Sequence, residues 1–195
     1  ALPLTYALPL ARTWTPEHPH RLRARIRFQG PAGACEEVVR AGQPVLELKG
    51  GRLLVNGEET IIRGMGYSPR EGRWPLKDPD AVIAQDFRDL KRMGANAVKQ
   101  WGRCPDAMLA LAEEHGLFVL EGIGICYDYP AAKHEAFVEA RGDELAAILR
   151  AHRDSPAILC EAFGYELYGD DAKICAYVEA QQRVADREAP EVFTT

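Results

Sequence analysis

The amino-acid sequence predicts an α/β fold, and three observations support this prediction. A β-rich stretch occupies the first 48 residues, two glycine-containing hairpin signals follow it, and strands then alternate with amphipathic helices. The four strand–helix units between Ile61 and Glu191 average about 32 residues, which is the period of an eight-unit barrel of about 250 residues. We therefore predict the first half of a (β/α)8 TIM barrel (strands one to five) over residues 49–195. Part of an immunoglobulin-like β-sandwich precedes it over residues 1–48.

The β-rich stretch begins with a strand over residues 20–28, in which charged and apolar side chains alternate strictly. Its four arginines form either an anion-binding stripe or the solvated outer face of a strand; the acidic remainder of the chain favours the solvated face. Residues 30–33 (GPAG) predict a turn and residues 35–40 a return strand. Only about three strands fit before residue 48, whereas a sandwich needs about seven, so this domain is predicted to be incomplete.

Two hairpin turns come next, at Gly50-Gly51 and at Asn56-Gly57. Each dipeptide lies between short apolar runs, and each suits a two-residue turn in which both residues take positive φ.

Beyond these turns the periodicity changes to strand, helix, strand, helix. We predict strands over residues 61–67, 96–101, 117–125, 157–163 and 191–195. We predict helices over residues 78–93, 105–115, 143–152 and 171–187, with starts and ends marked by Asp78-Pro79, Gly94 and Gly116. A complete five-stranded doubly wound sheet of the flavodoxin type is the alternative to half a barrel.

Length and charge exclude several functional classes. The chain has 195 residues, 47% hydrophobic and 27% charged, with a formal net charge of −5, which argues against a nucleic-acid partner. No apolar run approaches the roughly 20 residues of a membrane span, and no signal peptide pattern opens the given chain. We therefore expect no membrane partner and a cytoplasmic location.

Candidate site residues are sought where parallel strands end, because reactive groups lie at the carboxyl ends of strands in such folds. These positions are Arg63, Tyr67, Lys99, Trp101, Arg103, Glu121, Asp128, Tyr165 and Glu166. The Gly64-Met65-Gly66 and Gly122-Ile123-Gly124 segments lack the third glycine of a dinucleotide fingerprint, so they predict either tight strand-to-loop bends or close backbone packing. No C-x-x-C or H-E-x-x-H motif occurs, and we expect neither a metal nor another cofactor.

Carboxylates remain as the chemical candidates. Hydrolysis of a glycosidic bond needs one carboxylic acid to protonate the leaving oxygen and a second carboxylate at the anomeric centre. Glu166 lies just past an apolar strand and beside Tyr165 and Tyr168, where burial among aromatic rings would suit a general acid. A solvent-exposed glutamate before a helix is the equally weighted alternative.

Five segments together resemble glycoside hydrolase family 2 (GH2), the β-galactosidase, β-glucuronidase and β-mannosidase group. They are residues 14–19 (WTPEHP), 52–64 (RLLVNGEETIIRG), 94–99 (GANAVK), 113–119 (EEHGLFV) and 155–166 (SPAILCEAFGYE), in family order. The resemblance implies a retaining glycosidase acting on a carbohydrate. It implies that Glu166 is the general acid/base, that Arg63, Lys99, Trp101 and Tyr165 are pocket walls, and that Glu121 contacts substrate or an ion. The family's nucleophile would lie beyond residue 195.

The chain departs from the family at three positions. Tyr165 replaces the asparagine that precedes the acid/base, Glu161 replaces a tryptophan on strand four, and Lys99 replaces an arginine and so loses its bidentate fork. These departures keep open a non-catalytic carbohydrate-binding relative, with Trp101, Tyr67 and Tyr127 as stacking faces. Because the second catalytic carboxylate would lie outside it, we expect this stretch to be inactive alone. A half-barrel also exposes strand edges, so we expect it to associate with the missing half or with a second copy.

Overall fold

A computed structural model describes residues 13–31, 33–68, 78–124, 130–167, 169 and 171–195. The predicted site residues Tyr127, Asp128 and Tyr168 lie outside these residues. The chain forms two compact units, which divide between Ile61 and Ile62. The boundary at residue 48 stays a prediction about domain organisation.

The first unit contains an antiparallel hairpin of β1 (Leu22–Gly30) and β2 (Gly33–Ala41). Both predicted strands are therefore present. Arg25 and Arg27 each form an ion pair with Glu36 on the facing strand, at 3.2 and 3.0 Å, and all three side chains are exposed. These cross-strand pairs favour the solvated-face interpretation of the arginine stripe.

A second, three-stranded antiparallel sheet follows in the first unit: β3 (Leu46–Lys49), β4 (Arg52–Val55) and β5 (Glu58–Glu59). Its two turns are Gly50-Gly51, with φ of 57° and 76°, and Asn56-Gly57, with φ of 54° and 85°. Positive φ at both positions is the type I′ geometry that matches the twist of a hairpin. Both hairpin predictions are confirmed.

The second unit is a mixed α/β structure around one parallel sheet. Its elements in chain order are β6 (Gly64–Gly66), α1 (Pro79–Arg92), β7 (Ala97–Lys99), α2 (Asp106–His115), β8 (Phe118–Gly122), α3 (Glu135–His152), β9 (Ile158–Ala162), α4 (Ala172–Glu188) and β10 (Phe193–Thr194). The five strands pair side by side in chain order, from β6 at one edge to β10 at the other. A doubly wound sheet contains a reversal of strand order, so the flavodoxin-type alternative is wrong for this unit.

Helix ends follow the predicted signals with one exception. Asp78 Oδ1 accepts a hydrogen bond from Ala81 N at 3.0 Å to cap α1, and Gly116, with φ of 71°, ends α2. α3 begins at Glu135, eight residues before the predicted start at Asp143. None of the described helices is long and apolar enough to cross a membrane.

The two faces of the sheet differ in burial. Val98, Val119 and Glu121 point to one face and are fully buried. Lys99, Leu120 and Cys160 are register partners on the opposite face, and all three are only half-buried. The helices therefore cover one face of the sheet more completely than the other.

Candidate active site

Three predicted site residues meet at the carboxyl end of the sheet. Lys99 is the last residue of β7, Trp101 follows it by two positions, and Tyr165 lies three residues after β9. The Trp101 and Tyr165 rings meet edge to face, with centroids 5.1 Å apart and an interplanar angle of 73°. Lys99 Nζ lies 4.2 Å from each ring centroid. We call Lys99, Trp101 and Tyr165 the lysine–aromatic cluster.

Two glycines lie close to Trp101. A Cβ atom at Gly66 in β6 would come 3.3 Å from the Trp101 ring, and a Cβ atom at Gly124, which follows β8, would come 2.4 Å from the Trp101 carbonyl oxygen. The second distance leaves no room for a side chain at Gly124, which agrees with the close backbone packing expected at these glycines. Trp101 keeps 53% of its surface exposed. An exposed indole is a surface on which a planar or apolar ligand face can stack.

Tyr165 is held in place by its hydroxyl group, which donates a hydrogen bond to the Gln100 carbonyl oxygen at 2.9 Å. Burial raises the pKa of Tyr165 to about 12, and the nearby Cys160 and Glu161 add to the shift. The phenol is therefore neutral at physiological pH and serves as a hydrogen-bond donor to the loop that carries Trp101.

Glu166 follows Tyr165 of this cluster directly. Its side chain is exposed, which agrees with the solvent-exposed alternative that the sequence left open beside burial among aromatic rings. Its backbone has φ of 55°; among the described residues only Asn56, in its hairpin turn, is another non-glycine residue with positive φ. Such a conformation is uncommon for a residue with a side chain and is often found at functional sites.

Glu121 has partners inside this unit. Its carboxylate is fully buried on the helix-covered face, where Oε2 accepts a 2.5 Å hydrogen bond from the Cys104 backbone N–H and Oε1 lies 2.5 Å from His152 Nδ1. Both oxygens are therefore engaged within the protein, and a contact with substrate or an ion stays a prediction.

His152 extends the contacts of Glu121 toward the surface. It ends α3, is 4% exposed, and its Nε2 lies 3.1 Å from Asp106 Oδ1, which also pairs with Arg103. Burial by itself lowers the pKa of His152, but the hydrogen bonds to Glu121 and Asp106 outweigh it and the net shift is upward. His152 is therefore a buried histidine with a carboxylate beside each ring nitrogen.

Glu161 faces Glu121 across β8 and β9, where the two are register partners. It is 1% exposed, and its Oε2 atom has no hydrogen-bond partner among the described residues. Burial raises the pKa of Glu161 well above its ordinary range, and repulsion by the Glu121 charge together with a hydrogen bond to it raises the pKa further. Glu161 is therefore the carboxyl group of this face that most resists ionisation. We call Glu121, Glu161, His152 and Asp106 the carboxylate–histidine network.

Two further predicted residues have structural contacts. Arg63 precedes β6 instead of following it: its Nε donates to the Gly94 carbonyl oxygen at 3.2 Å, and its backbone N–H donates to Asn96 Oδ1 at 2.7 Å. These contacts lie at the amino end of the sheet, so the predicted position of Arg63 after strand one is wrong. Tyr67 is buried and its hydroxyl donates to Asp86 Oδ2 at 2.9 Å, so its ring does not offer a free stacking face.

Comparison with known proteins finds sequence relatives that are β-galactosidases. No family model matches it. It is 26% identical over 177 residues to β-galactosidase 2 of Enterobacter cloacae, which is 84% of this chain but 17% of that protein. It is 29% identical over 122 residues to the β-galactosidase of Psychromonas ingrahamii, 59% of this chain and 11% of that protein. The chain thus spans less than a fifth of the length of either curated relative.

Solved structures with a similar fold come from the same group. A GH2 β-galacturonidase from Eisenbergiella tayi bound to galacturonate superposes with a TM-score of 0.81 at 21% identity, over 96% of this chain and 34% of that one. A β-D-glucuronidase from Dictyoglomus thermophilum superposes with a TM-score of 0.79 at 17% identity, over 94% of this chain and 34% of that one. Together with the curated relatives, these structures confirm the GH2 resemblance that the sequence segments predicted.

Proposed function

We propose that this GH2-related chain is part of a retaining glycoside hydrolase in which Glu166 is the general acid/base. The observation that carries the proposal is the position and conformation of Glu166. It follows β9 at the carboxyl end of a parallel sheet, it is exposed, and its φ of 55° points to a functional constraint on the backbone.

The proposed chemistry is a double displacement. Glu166 protonates the leaving oxygen while a second carboxylate attacks the anomeric carbon; Glu166 then removes a proton from the water that releases the sugar. In retaining enzymes the two carboxyl groups lie about 5–5.5 Å apart. Glu121 and Glu161 are buried on the other face of the sheet and engaged with each other, so we assign the nucleophile to residues outside this chain. The 195 residues alone are then expected to be inactive.

We further propose that β6 to β10 are the first five strands of a (β/α)8 barrel, preceded by part of a sandwich. Consecutive strand order supports this proposal, because barrel strands pair in chain order. The half-buried face with Lys99, Leu120 and Cys160 is then the side that turns toward the barrel interior. We expect the remaining strands, or a second copy, to pair with the open edges at β6 and β10.

The substrate is proposed to be a β-glycoside, with Lys99, Trp101 and Tyr165 as walls of the sugar pocket. The names of related proteins leave two classes of sugar open. The curated relatives are β-galactosidases, which implies a neutral sugar, whereas the similar structures are a β-galacturonidase and β-glucuronidases, which implies an acidic one.

The role of Glu166 is tested in the whole protein that contains this chain. Glu166→Gln is expected to lower kcat/KM for an aryl β-glycoside by about 10²–10⁴-fold, the usual contribution of a general acid/base. The loss should shrink for a dinitrophenyl glycoside, whose leaving group needs no proton. Glu114→Gln, an exposed glutamate of α2, is the matched control and should leave the rate unchanged. Full activity of Glu166→Gln, with the same dependence on the leaving group as the wild type, would refute the assignment.

A non-catalytic carbohydrate-binding protein is the second candidate. It is favoured by Tyr165, which replaces the family's asparagine, and by the 53% exposed Trp101 ring beside it. Sugar binding by the whole protein without turnover of any aryl glycoside, and loss of that binding in Trp101→Ala, would support this candidate over hydrolysis.

A further inference from the structure

Lys99 has no counterion among the residues that the structure describes. Its side chain is half-buried, yet none of the described carboxylates forms an ion pair with it, and no described atom accepts a hydrogen bond from Nζ. The other lysines with described partners differ: Lys91 donates to the Gly116 carbonyl oxygen at 2.9 Å, and Lys133 pairs with Asp171 at 2.5 Å. Within the described part of the chain, the Lys99 ammonium group instead lies over the two aromatic rings.

Aromatic rings satisfy only part of what an ammonium group requires. The ring faces attract the positive charge, but they leave the three N–H donors of Nζ without strong acceptors. A partly desolvated charge gains most from an anion that accepts a charge-assisted hydrogen bond. The Trp101 and Tyr165 rings therefore hold Nζ at a fixed place beside the candidate sugar site, with its donors available to a ligand.

The covered face of the sheet does not provide the missing anion. Glu121 and Glu161, the buried carboxylates of the adjacent strands, point to the opposite face. Within the described residues, the positive charge of Lys99 Nζ on the half-buried face is thus not balanced by a carboxylate. A neutral hydroxyl of a sugar would leave this charge uncompensated, whereas a carboxylate would complete it.

We propose that Lys99 makes the site selective for glycosides of hexuronic acids, by binding the sugar carboxylate with Nζ. This inference rests on the proposed glycosidase function and decides between the two sugar classes that the related proteins leave open. Because an ammonium group is a point charge and lacks the planar fork of arginine, it suits contact with a single carboxylate oxygen.

The test compares nitrophenyl β-glucuronide and β-galacturonide with nitrophenyl β-galactoside in the whole protein. The wild type should prefer at least one uronide by about 10-fold or more in kcat/KM, the expected contribution of one charge-assisted hydrogen bond. Lys99→Met should lower kcat/KM for the uronide about 10-fold more than it lowers kcat/KM for the galactoside, chiefly by raising KM for the uronide, so that the preference is lost. Methionine keeps packing between two rings, so the variant should fold; thermal unfolding checks this.

Two controls separate charge recognition from packing. Lys99→Arg keeps the cation and should retain the uronide preference, whereas Lys49→Met, in the exposed β3 strand of the first unit, should behave as wild type. Raising the salt concentration should raise KM for the uronide in the wild type but not in Lys99→Met, since only the former contains the ion pair.

Failure of this inference differs from failure of the proposed function. If the wild type prefers the galactoside, or Lys99→Met lowers both rates equally, Lys99 only packs the site and the selectivity proposal is overturned, although Glu166-dependent hydrolysis stands. If no glycoside is hydrolysed, calorimetric titration with methyl β-glucuronide and methyl β-galactoside decides. Tighter binding of the uronide that Lys99→Met abolishes supports the inference, and equal binding refutes it.

Discussion

The two faces of the parallel sheet differ in whether their charged side chains have partners of opposite charge or hydrogen-bond partners within the protein. On the helix-covered face, the carboxylate–histidine network engages both oxygens of the fully buried Glu121 within the protein. On the half-buried face, the lysine–aromatic cluster holds Lys99 beside two rings, and none of the described carboxylates pairs with it. A charge that is satisfied internally contributes to folding, whereas one that is left with free donors is available to a ligand. The comparison separates structural charges from the candidate binding charge on adjacent strands.

The largest effect on stability is expected from Glu121→Leu. Removing this carboxylate leaves the Cys104 N–H and the His152 ring buried without their partner, and breaking a buried pair in this way typically destabilises by about 3–5 kcal/mol. Denaturant unfolding at constant m-value measures the loss, and Glu114→Leu on the exposed face of α2 is the control. A loss below about 1 kcal/mol would mean that water reaches the network, and the distinction between the faces would fail.

The second largest effect is expected from Glu161→Gln, which should raise the free energy of unfolding by an amount that depends on pH. Folding raises the pKa of Glu161 through burial and through Glu121, so the contribution of Glu161 is most favourable below the ordinary pKa of 4.5 and declines as pH rises toward the folded-state value. Keeping this group protonated at pH 7 lowers stability by up to about 3 kcal/mol, at 1.36 kcal/mol per pH unit above 4.5. Glu161→Gln should recover much of that amount, since an amide can also donate to Glu121.

Unfolding free energies at pH 5, 7 and 9 test this sign. The gain in Glu161→Gln should be small at pH 5 and larger at pH 7. His152 also has a raised folded-state pKa, so its contribution is complete below 6.5 and falls as pH rises through the folded value; this decline should persist in the variant. A variant that is less stable than the wild type at pH 7 would show that Glu161 is ionised in the folded protein.

The order of elements was predictable from sequence because each strand and helix carries its own periodicity. The hairpin turns were predictable because Asn56-Gly57 and Gly50-Gly51 require positive φ. The start of α3 was missed because Gly142 reads as a helix breaker. In the structure a Cβ at Gly142 would come within 3.3 Å of Val184 Cγ2, so close packing of α3 on α4 favours glycine inside the helix. Tertiary packing of this kind overrides local propensity.

The candidate site was less predictable than the fold. Glu121 and Glu161 are both visible in the sequence, but their pairing depends on a register shift between β8 and β9 at Val119/Leu120. His152 lies 31 positions from Glu121, and no local spacing connects the two. Lys99 and Tyr165 were found because both follow apolar strands, whereas the arrangement of their side chains depends on the Trp101 loop.

A smaller effect is expected where the lysine–aromatic cluster is bonded to the backbone. Tyr165→Phe removes the hydrogen bond from the Tyr165 hydroxyl to the Gln100 carbonyl oxygen, which is 2.9 Å long and half-buried. The expected loss is about 0.5–1.5 kcal/mol of unfolding free energy, the net value of a typical hydrogen bond. Thermal unfolding compares it with Tyr177→Phe, which removes a 2.6 Å bond to the Phe163 carbonyl oxygen from a fully buried position and should lose more. If both variants lost the same unfolding free energy, the Tyr165 hydroxyl would be as shielded from water as the fully buried Tyr177 hydroxyl.

The smallest effect on stability is expected from Lys99→Met. A cation–π contact at a partly exposed site is worth about 0.5–1 kcal/mol, and a methionine side chain replaces part of it through contacts with the same rings. The unfolding free energy should therefore change by less than about 1 kcal/mol. A loss of 3 kcal/mol or more in denaturant unfolding would mean that Lys99 is a structural charge like Glu121, and the contrast between the two faces would disappear. A nearly unchanged stability, combined with the loss of uronide preference, is the result that only a ligand-binding cation produces.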